Sequence, residues 1–280
     1  MEQRQIRNVK YDFTGQVVVV TGAARGQGRS HALAFAEAGA DVVVTDICEQ
    51  IDSVEYELGT AEGLTKVAVE IEKLGVRCMA RSCDVRHEAQ VSALVRATVS
   101  KFGRIDVLIN NAGIDGIAHI TELSVEAWDD MIDTHVRGAF LMSKAVAPTM
   151  ISQNKGKIIT TGSICSYLAI PSRSHYVTAK HALVGLTKAL AIDLAPHRIN
   201  VNIVCPGAVR SPMNVISAKH PEVQSWMGSL VGSWNILESD PDLQLLGTEE
   251  ISNAMLWLAS DASDYVTGAS LMVDAGASIK

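Results

Sequence analysis

Short β-branched runs recur at Val17–Thr21, Asp41–Thr45, Arg77–Ser82, Asp106–Ile109, Lys157–Thr161, Asn200–Val204 and Ser270–Val273. Each is a few residues long, the length of a strand. Between them lie segments with apolar positions at helical spacing: Gln27–Ala38, Leu64–Leu74, Glu88–Phe102, Val125–Ile151, His175–Leu194 and Glu249–Ala259. Glycine or proline punctuates most of the junctions. Strand and helix in alternation predict an α/β fold, a doubly wound parallel sheet in a single domain.

Two connections exceed what that alternation needs. Ile47–Gly63 separates the second strand from its helix, and 213–246 carries Met213, Trp226, Met227, Leu230, Val231, Trp234, Leu243, Leu245 and Leu246 among polar residues. A disordered tract is poorer in Trp and Leu, so the second insert reads as a lid over a substrate or, more plainly, as added helices in an oligomer interface. Residues 1–13 read as a surface arm ahead of one domain over 14–280. They are polar, unlike a signal sequence.

Composition narrows the functional classes. With 280 residues, a formal charge of −7 and no Lys/Arg cluster, the chain lacks the basic footprint of a nucleic-acid partner. Its apolar runs are too short to span a bilayer, so no membrane partner and a cytoplasmic location are expected. Cys48, Cys78, Cys83, Cys165 and Cys205 form no CxxC pair, and neither a disulfide framework nor a metal site is expected.

The first strand runs straight into Thr21-Gly-Ala-Ala-Arg-Gly-Gln-Gly28 and then into a helix. Gly22 allows a tight turn, Gly26 lets backbone approach a pyrophosphate, and Gly28 lets helix pack on sheet, with the anion at the helix N-terminus. Alone such a turn is only a turn. Asp46, ending the second strand 24 residues after Gly22, stands where this fold places an acid on the adenosine ribose. A 2′-phosphate beside that carboxylate would set like charges about 4 Å apart, costing roughly 4 kcal/mol at an effective dielectric near 20. NAD is therefore expected over NADP. Arg25 is the counter-signal, since a guanidinium there would suit a 2′-phosphate, although it reads more simply as a surface side chain. Asp84 and Val85 close the third strand, where they face an adenine edge or merely cap the next helix. Asn110-Asn111-Ala112-Gly113 follows the fourth strand, with small residues beside the cofactor path and amides that brace strand ends.

Tyr176 and Lys180 are four apart on a helix and share one face. A cation about 5 Å from a phenol favours phenolate by roughly 3 kcal/mol, on the order of two pK units. Tyr176 would then take the proton of an alcohol while hydride leaves its carbon. Ser163, at a strand end, would donate to the substrate oxygen. In isolation these are a surface pair and a turn serine; their order after the nucleotide motifs makes them a site.

With TGAARGQG, Asp46, Asp84, NNAG, Ser163, YVTAK and PGAVRSP in this order, the chain resembles the short-chain dehydrogenase/reductase family over about residues 14–276. The resemblance implies a seven-stranded Rossmann fold, with Ser163 orienting substrate, Tyr176 as acid/base, and Lys180 on the nicotinamide ribose. It further implies a cofactor wall of Gly22, Arg25, Gly26, Gln27, Gly28, Asp46, Asp84, Val85, Asn111, Ala112, Gly113, Tyr176 and Lys180. Pro206, Gly207, Val209 and Ser211 match the turn that meets the carboxamide, and a homotetramer is the family's common assembly. One position departs: His135 in His135-Val-Arg-Gly138 stands where the family has an asparagine tied to a water link with the lysine. Either a backbone carbonyl holds that water, or His135 exchanges protons itself, or it is a histidine packed at a helix bend.

The run from Thr45-Asp-Ile-Cys through Tyr56-Glu-Leu, with the C-terminal TEEISNAMLWLASDASDYVTG, resembles the mycofactocin-associated, carveol-dehydrogenase-like branch. That resemblance implies oxidation of hydrophobic secondary alcohols, terpenol- or steroid-like, with tightly held NAD re-oxidised in place by a redox partner. Folding of Ile47–Gly63 over the adenosine half would account for it, and a surface insertion is the plainer reading. The alternatives are an NADPH-linked ketoacyl-type reductase and a non-catalytic NAD-binding sensor.

Overall fold

The computed structural model describes residues 9–214, 220, 235–237 and 245–279. Seven parallel strands form one sheet: β1 (Val17–Thr21), β2 (Asp41–Asp46), β3 (Cys78–Ser82), β4 (Val107–Asn110), β5 (Gly156–Thr161), β6 (Ile199–Pro206) and β7 (Ser270–Val273). Their spatial order is β3-β2-β1-β4-β5-β6-β7. The order reverses between β1 and β4, which opens a crevice at the carboxyl ends of those two strands.

The valines of β1 show why this segment is central. Val18 and Val20 enter the core on one face, Val17 and Val19 the core on the other, and β1 pairs with β2 from Val17↔Asp41 to Thr21↔Thr45. A strand apolar on both sides is stable only between two helical layers. Helices α1 (Gly26–Glu37), α2 (Ala61–Glu72) and α7 (Thr248–Ala259) supply the first layer through Phe35, Leu64, Val67, Ile71, Ile251 and Met255. Helices α3 (Glu88–Phe102), α5 (Gly138–Gln153) and α6 (Ser174–Leu194) supply the second through Leu94, Met142, Val146 and Leu194. Each such side chain contributes about 1.5–3 kcal/mol on burial.

Three departures from the sequence reading have local causes. The helix expected over Val125–Ile151 is two helices, α4 (Val125–Ile132) and α5, joined by one π turn at Asp133–Arg137; periodicity cannot register one extra residue per turn. The strand expected from Asp106 begins one residue later, because the Asp106 carboxylate accepts the Val17 amide and pairs with Arg104. The arm expected on the surface ends in the core: Phe13 is 1% exposed and packs edge-on against Phe35. The lid expected over 213–246 falls mostly outside the described residues. Its trailing end is pinned, with Leu246 N–H donating to Ala208 O and Arg210 N–H to Leu246 O.

Candidate active site

The glycine turn joins β1 to α1 on the crevice floor. Gly22 and Gly26 hold φ of +65° and +54°, and a Cβ on Gly28 would land on the Gly22 carbonyl oxygen. Only glycine fits, so backbone itself lines the crevice. Helix α1 begins at Gly26 with no side-chain cap from Arg25, which leaves its first amides to an anion. Gln27 Oε1 is buried in the same wall, with no partner among the described residues. These features fit the pyrophosphate of a dinucleotide.

Asp46 ends β2 and is buried. Its Oδ2 accepts the Ala24 amide at 2.9 Å; burial raises its carboxyl, with the Ala24, Ile47 and Cys48 amides and Arg25 opposing. Arg25 is not the free surface side chain that the sequence suggested. Its guanidinium lies 5.5 Å above the Tyr56 ring, a cation–π contact. Asp84 and Val85 line the crevice, but Asp84 is already engaged: its carboxylate pairs with Arg86 at 2.8 Å and its amide donates to Gln90. It is not the cap of α3, whose N-cap is His87. Asn111 braces strand ends as expected, donating through Nδ2 to Thr21 O and accepting from Thr161 Oγ1. Ala112 and Gly113 line the crevice beside it.

At the far end the catalytic candidates converge. Ser163, Tyr176 and Lys180 are all buried. Ser163 lies where it favours the Tyr176 phenolate, and its hydroxyl accepts the Cys165 amide at 3.1 Å. Lys180 Nζ lies 5.5 Å from the Tyr176 ring centre and donates to Thr161 O at 2.8 Å. The electrostatics correct the simple picture of a lysine-activated phenol. Burial pushes Tyr176 well above its ordinary value, with Asp115 and Cys165 adding to the rise and Ser163 and Arg173 opposing. Burial also brings Lys180 down to about 8. The lysine alone does not make a phenolate here, because desolvation outweighs it.

His135 is carried by the π turn and is 3% exposed. Burial and Lys180 hold its imidazole well below the usual range, so it is neutral, packed at the helix irregularity, and no proton exchanger at physiological pH. Ser211 reaches the crevice wall together with Pro212 and Met213, whereas Pro206, Gly207 and Val209 do not line it. Gly207 packs on Asp274, where a Cβ would come 2.9 Å from Cα, and Val209 is core.

Sequence reasoning missed the internal bracing of the insert. Gln50 Nε2 donates to the carbonyls of Ile51, Val54 and Tyr56, while its Oε1 accepts the Leu58 amide. One glutamine thus ties the loop into a compact strap, and Ser53 anchors it to Asp130 on α4 at 2.6 Å. Ile51, Leu58 and Gly59 line the crevice, and a Cβ on Gly59 would come 2.7 Å from Asp46 Oδ1. The insert packs on the Asp46 carboxylate instead of extending along the surface. The crevice is partly open to solvent at its mouth.

Comparison with known proteins agrees with this geometry. The family model described as "Enoyl-(Acyl carrier protein) reductase" matches residues 22–278. A (−)-trans-carveol dehydrogenase of Rhodococcus erythropolis is 35% identical over 272 residues, covering 95% of this chain and 98% of that protein. The crystal structure of a carveol dehydrogenase from Mycobacterium avium in complex with NAD superposes with a TM-score of 0.87 at 34% identity, over 96% of this chain and 100% of that one. A short chain dehydrogenase from Mycobacterium paratuberculosis bound to NAD gives 0.89 at 31% identity, again over 96% and 100%.

Proposed function

The chain belongs to the short-chain dehydrogenase/reductase family, and we propose that it interconverts a hydrophobic secondary alcohol and its ketone with NAD that stays bound between turnovers. The observation that carries the reading is the buried pair Tyr176 and Lys180 at one end of a crevice whose other end is Asp46, with buried Ser163 behind the crevice wall at Gly162. When bound, NAD supplies the hydride acceptor.

The chain's own residues divide the remaining work. The glycine turn and the first amides of α1 hold the diphosphate, and Asp46 accepts from the ribose hydroxyls. Ser163 donates to the substrate oxygen and holds it against Tyr176. The Tyr176 phenol oxygen takes the alcohol proton in oxidation and returns it in reduction. Lys180, fixed by Thr161 O, binds the second ribose and favours phenolate. The burial that raises Tyr176 would be opposed by the positive charge an oxidised nicotinamide would supply if held beside Lys180.

The in-place cofactor cycle is supported by the strap. With Gly59 against Asp46 and the strap tied by Gln50 and Ser53, an adenosine half held at Asp46 would leave only if these contacts moved with it. A redox partner would then accept the electrons at the site. The same contact disfavours the NADPH-linked ketoacyl reductase, since a 2′-phosphate would have to displace Gly59 and face a carboxylate. The carveol dehydrogenase relatives and the apolar crevice residues Ile47, Ile51, Ile114 and Met213 support a terpenol-like substrate.

Denaturing the purified protein and assaying the supernatant for nicotinamide tests the retained cofactor. Near-stoichiometric release, with carveol turnover sustained by an artificial electron acceptor but not by added free NAD, is the expected result. Low occupancy with free turnover on added NAD would overturn it.

A further inference from the structure

The insert also grips the start of the catalytic helix. Tyr56 Oη accepts the Asp115 amide at 2.9 Å, across 59 residues of sequence. Asp115 follows the Asn110–Gly113 turn by two residues; its Oδ2 lies 2.9 Å from Arg173 Nη1, with side chains 6% and 8% exposed, and its Oδ1 accepts the Gly116 amide. Arg173 is the N-cap residue of α6, and its carbonyl accepts the Val177 amide within the turn that carries Tyr176. A second tie runs alongside, from Ala118 N–H to Ser172 O at 2.8 Å. The path from Arg25 over Tyr56, through Asp115 and Arg173, to Tyr176 therefore runs from the phosphate turn to the acid/base end of the crevice.

A buried ion pair is not a free gain in stability, because desolvating two charges offsets most of their attraction. Its place beside the phenol gives it a different consequence. Tyr176 faces Lys180 from its own helix, Asp115 from the loop after β4, and Arg173 from the turn before α6. It also faces neutral His135 from the π turn, and Ser163 and Cys165 from the turn after β5. Among the described residues Asp115 is the one carboxylate in that set, with Arg173 as its ion-pair partner and Lys180 as a second cation acting on it.

We propose that Asp115 and Arg173, locked to the insert through Tyr56, are positioning residues that orient the first turn of α6 and present a balanced charge pair to Tyr176. The inference rests on the reading of Tyr176 as the acid/base group. An anion beside a phenol resists phenolate formation, and a cation favours it. Removing one charge while keeping the shape therefore moves the acidity of Tyr176 in a direction set by which charge is lost. A scaffold role alone would lower activity without moving the profile.

The test is the pH dependence of single-turnover NADH formation from a secondary alcohol, measured on holoenzyme. In Asp115→Asn the rising limb is expected to move to lower pH by on the order of one unit, since the anion that resists the phenolate is removed. Arg173→Lys, which keeps the charge and loses the planar fork, is expected to slow the step with the limb in place. Tyr56→Phe, which removes only the hydroxyl, is expected to do likewise and to speed NAD release. A limb unmoved in a folded Asp115→Asn overturns the proposal. Should that variant not fold, a limb that moves in Arg173→Lys, or a Tyr56→Phe identical to wild type in both rates, overturns it equally. Turnover surviving in Tyr176→Phe would instead overturn the underlying reading of the tyrosine, a result separate from all of these.

Discussion

His135 Nε2 lies 3.1 Å from the amide nitrogen of Ile114 and 2.8 Å from its carbonyl oxygen. A neutral ring nitrogen either accepts or donates, so it satisfies one of these two buried groups at a time. An asparagine amide offers a donor and an acceptor together. His135→Asn is therefore expected to unfold in urea within about 1 kcal/mol of the wild type, whereas His135→Ala, which leaves a cavity and two unpaired groups, loses about 2–4 kcal/mol. Equal stability of the alanine variant would show that the ring does not hold Ile114.

The glycine cradle makes a sharper demand. A Cβ at position 28 has no room beside the Gly22 carbonyl, and a shift of α1 would take its first amides off the phosphate path. Gly28→Ala is expected to purify without nicotinamide and to weaken NAD binding by at least a hundredfold, about 2.7 kcal/mol, in fluorescence titration. Wild-type affinity would place the diphosphate elsewhere.

Cofactor choice is assigned to Asp46. Replacing its charge in Asp46→Ser removes a repulsion of roughly 4 kcal/mol toward a 2′-phosphate, so the ratio of NAD to NADP affinity is expected to fall by about two to three orders of magnitude. An unchanged ratio would mean that the strap at Gly59 selects the cofactor by shape alone.

Buried neutral histidines make the fold acid-sensitive. Burial brings His31 down to about 3 and His175 to about 4, and holds His135 well below its ordinary value. Each stays unprotonated in the fold and takes up a proton on unfolding below about pH 6.5. The unfolded chain then binds more protons, so stability falls as pH drops from about 6.5 toward 4. Asp46 and Asp115, whose carboxyls burial raises, act in the opposite sense and flatten the acid end. His31 alone contributes a slope of about 1.4 kcal/mol per pH unit. Urea unfolding at several pH values should show His31→Leu flattened by that amount, whatever its absolute stability. An unchanged slope would place a charged imidazole at position 31.

The parts of this molecule legible in its sequence are those with local codes. The valine runs of β1 and β2 specify strands buried on both faces, and Tyr176 with Lys180 share a helix face by spacing alone. The place of Asp46 on the crevice wall was legible because it follows from where β2 ends. The π turn at His135 was not, since an added residue leaves the apolar pattern nearly unchanged. Nor was the strap: Gln50, Tyr56, Asp115 and Arg173 meet only through tertiary folding, and nothing in their spacing brings residue 56 to residue 115. The acidity of Tyr176 was misjudged for a related reason. Spacing reveals the Lys180 cation but not the burial that opposes it.

In the proposed reaction Tyr176 is the group that moves the substrate proton. This role is tested most directly by single-turnover NADH formation in Tyr176→Phe holoenzyme supplied with a secondary alcohol. NAD content equal to wild type and a loss of at least a hundredfold in rate are expected, within the 10²–10⁴ that a positioned acid/base contributes. NADH formation at close to the wild-type rate would contradict it.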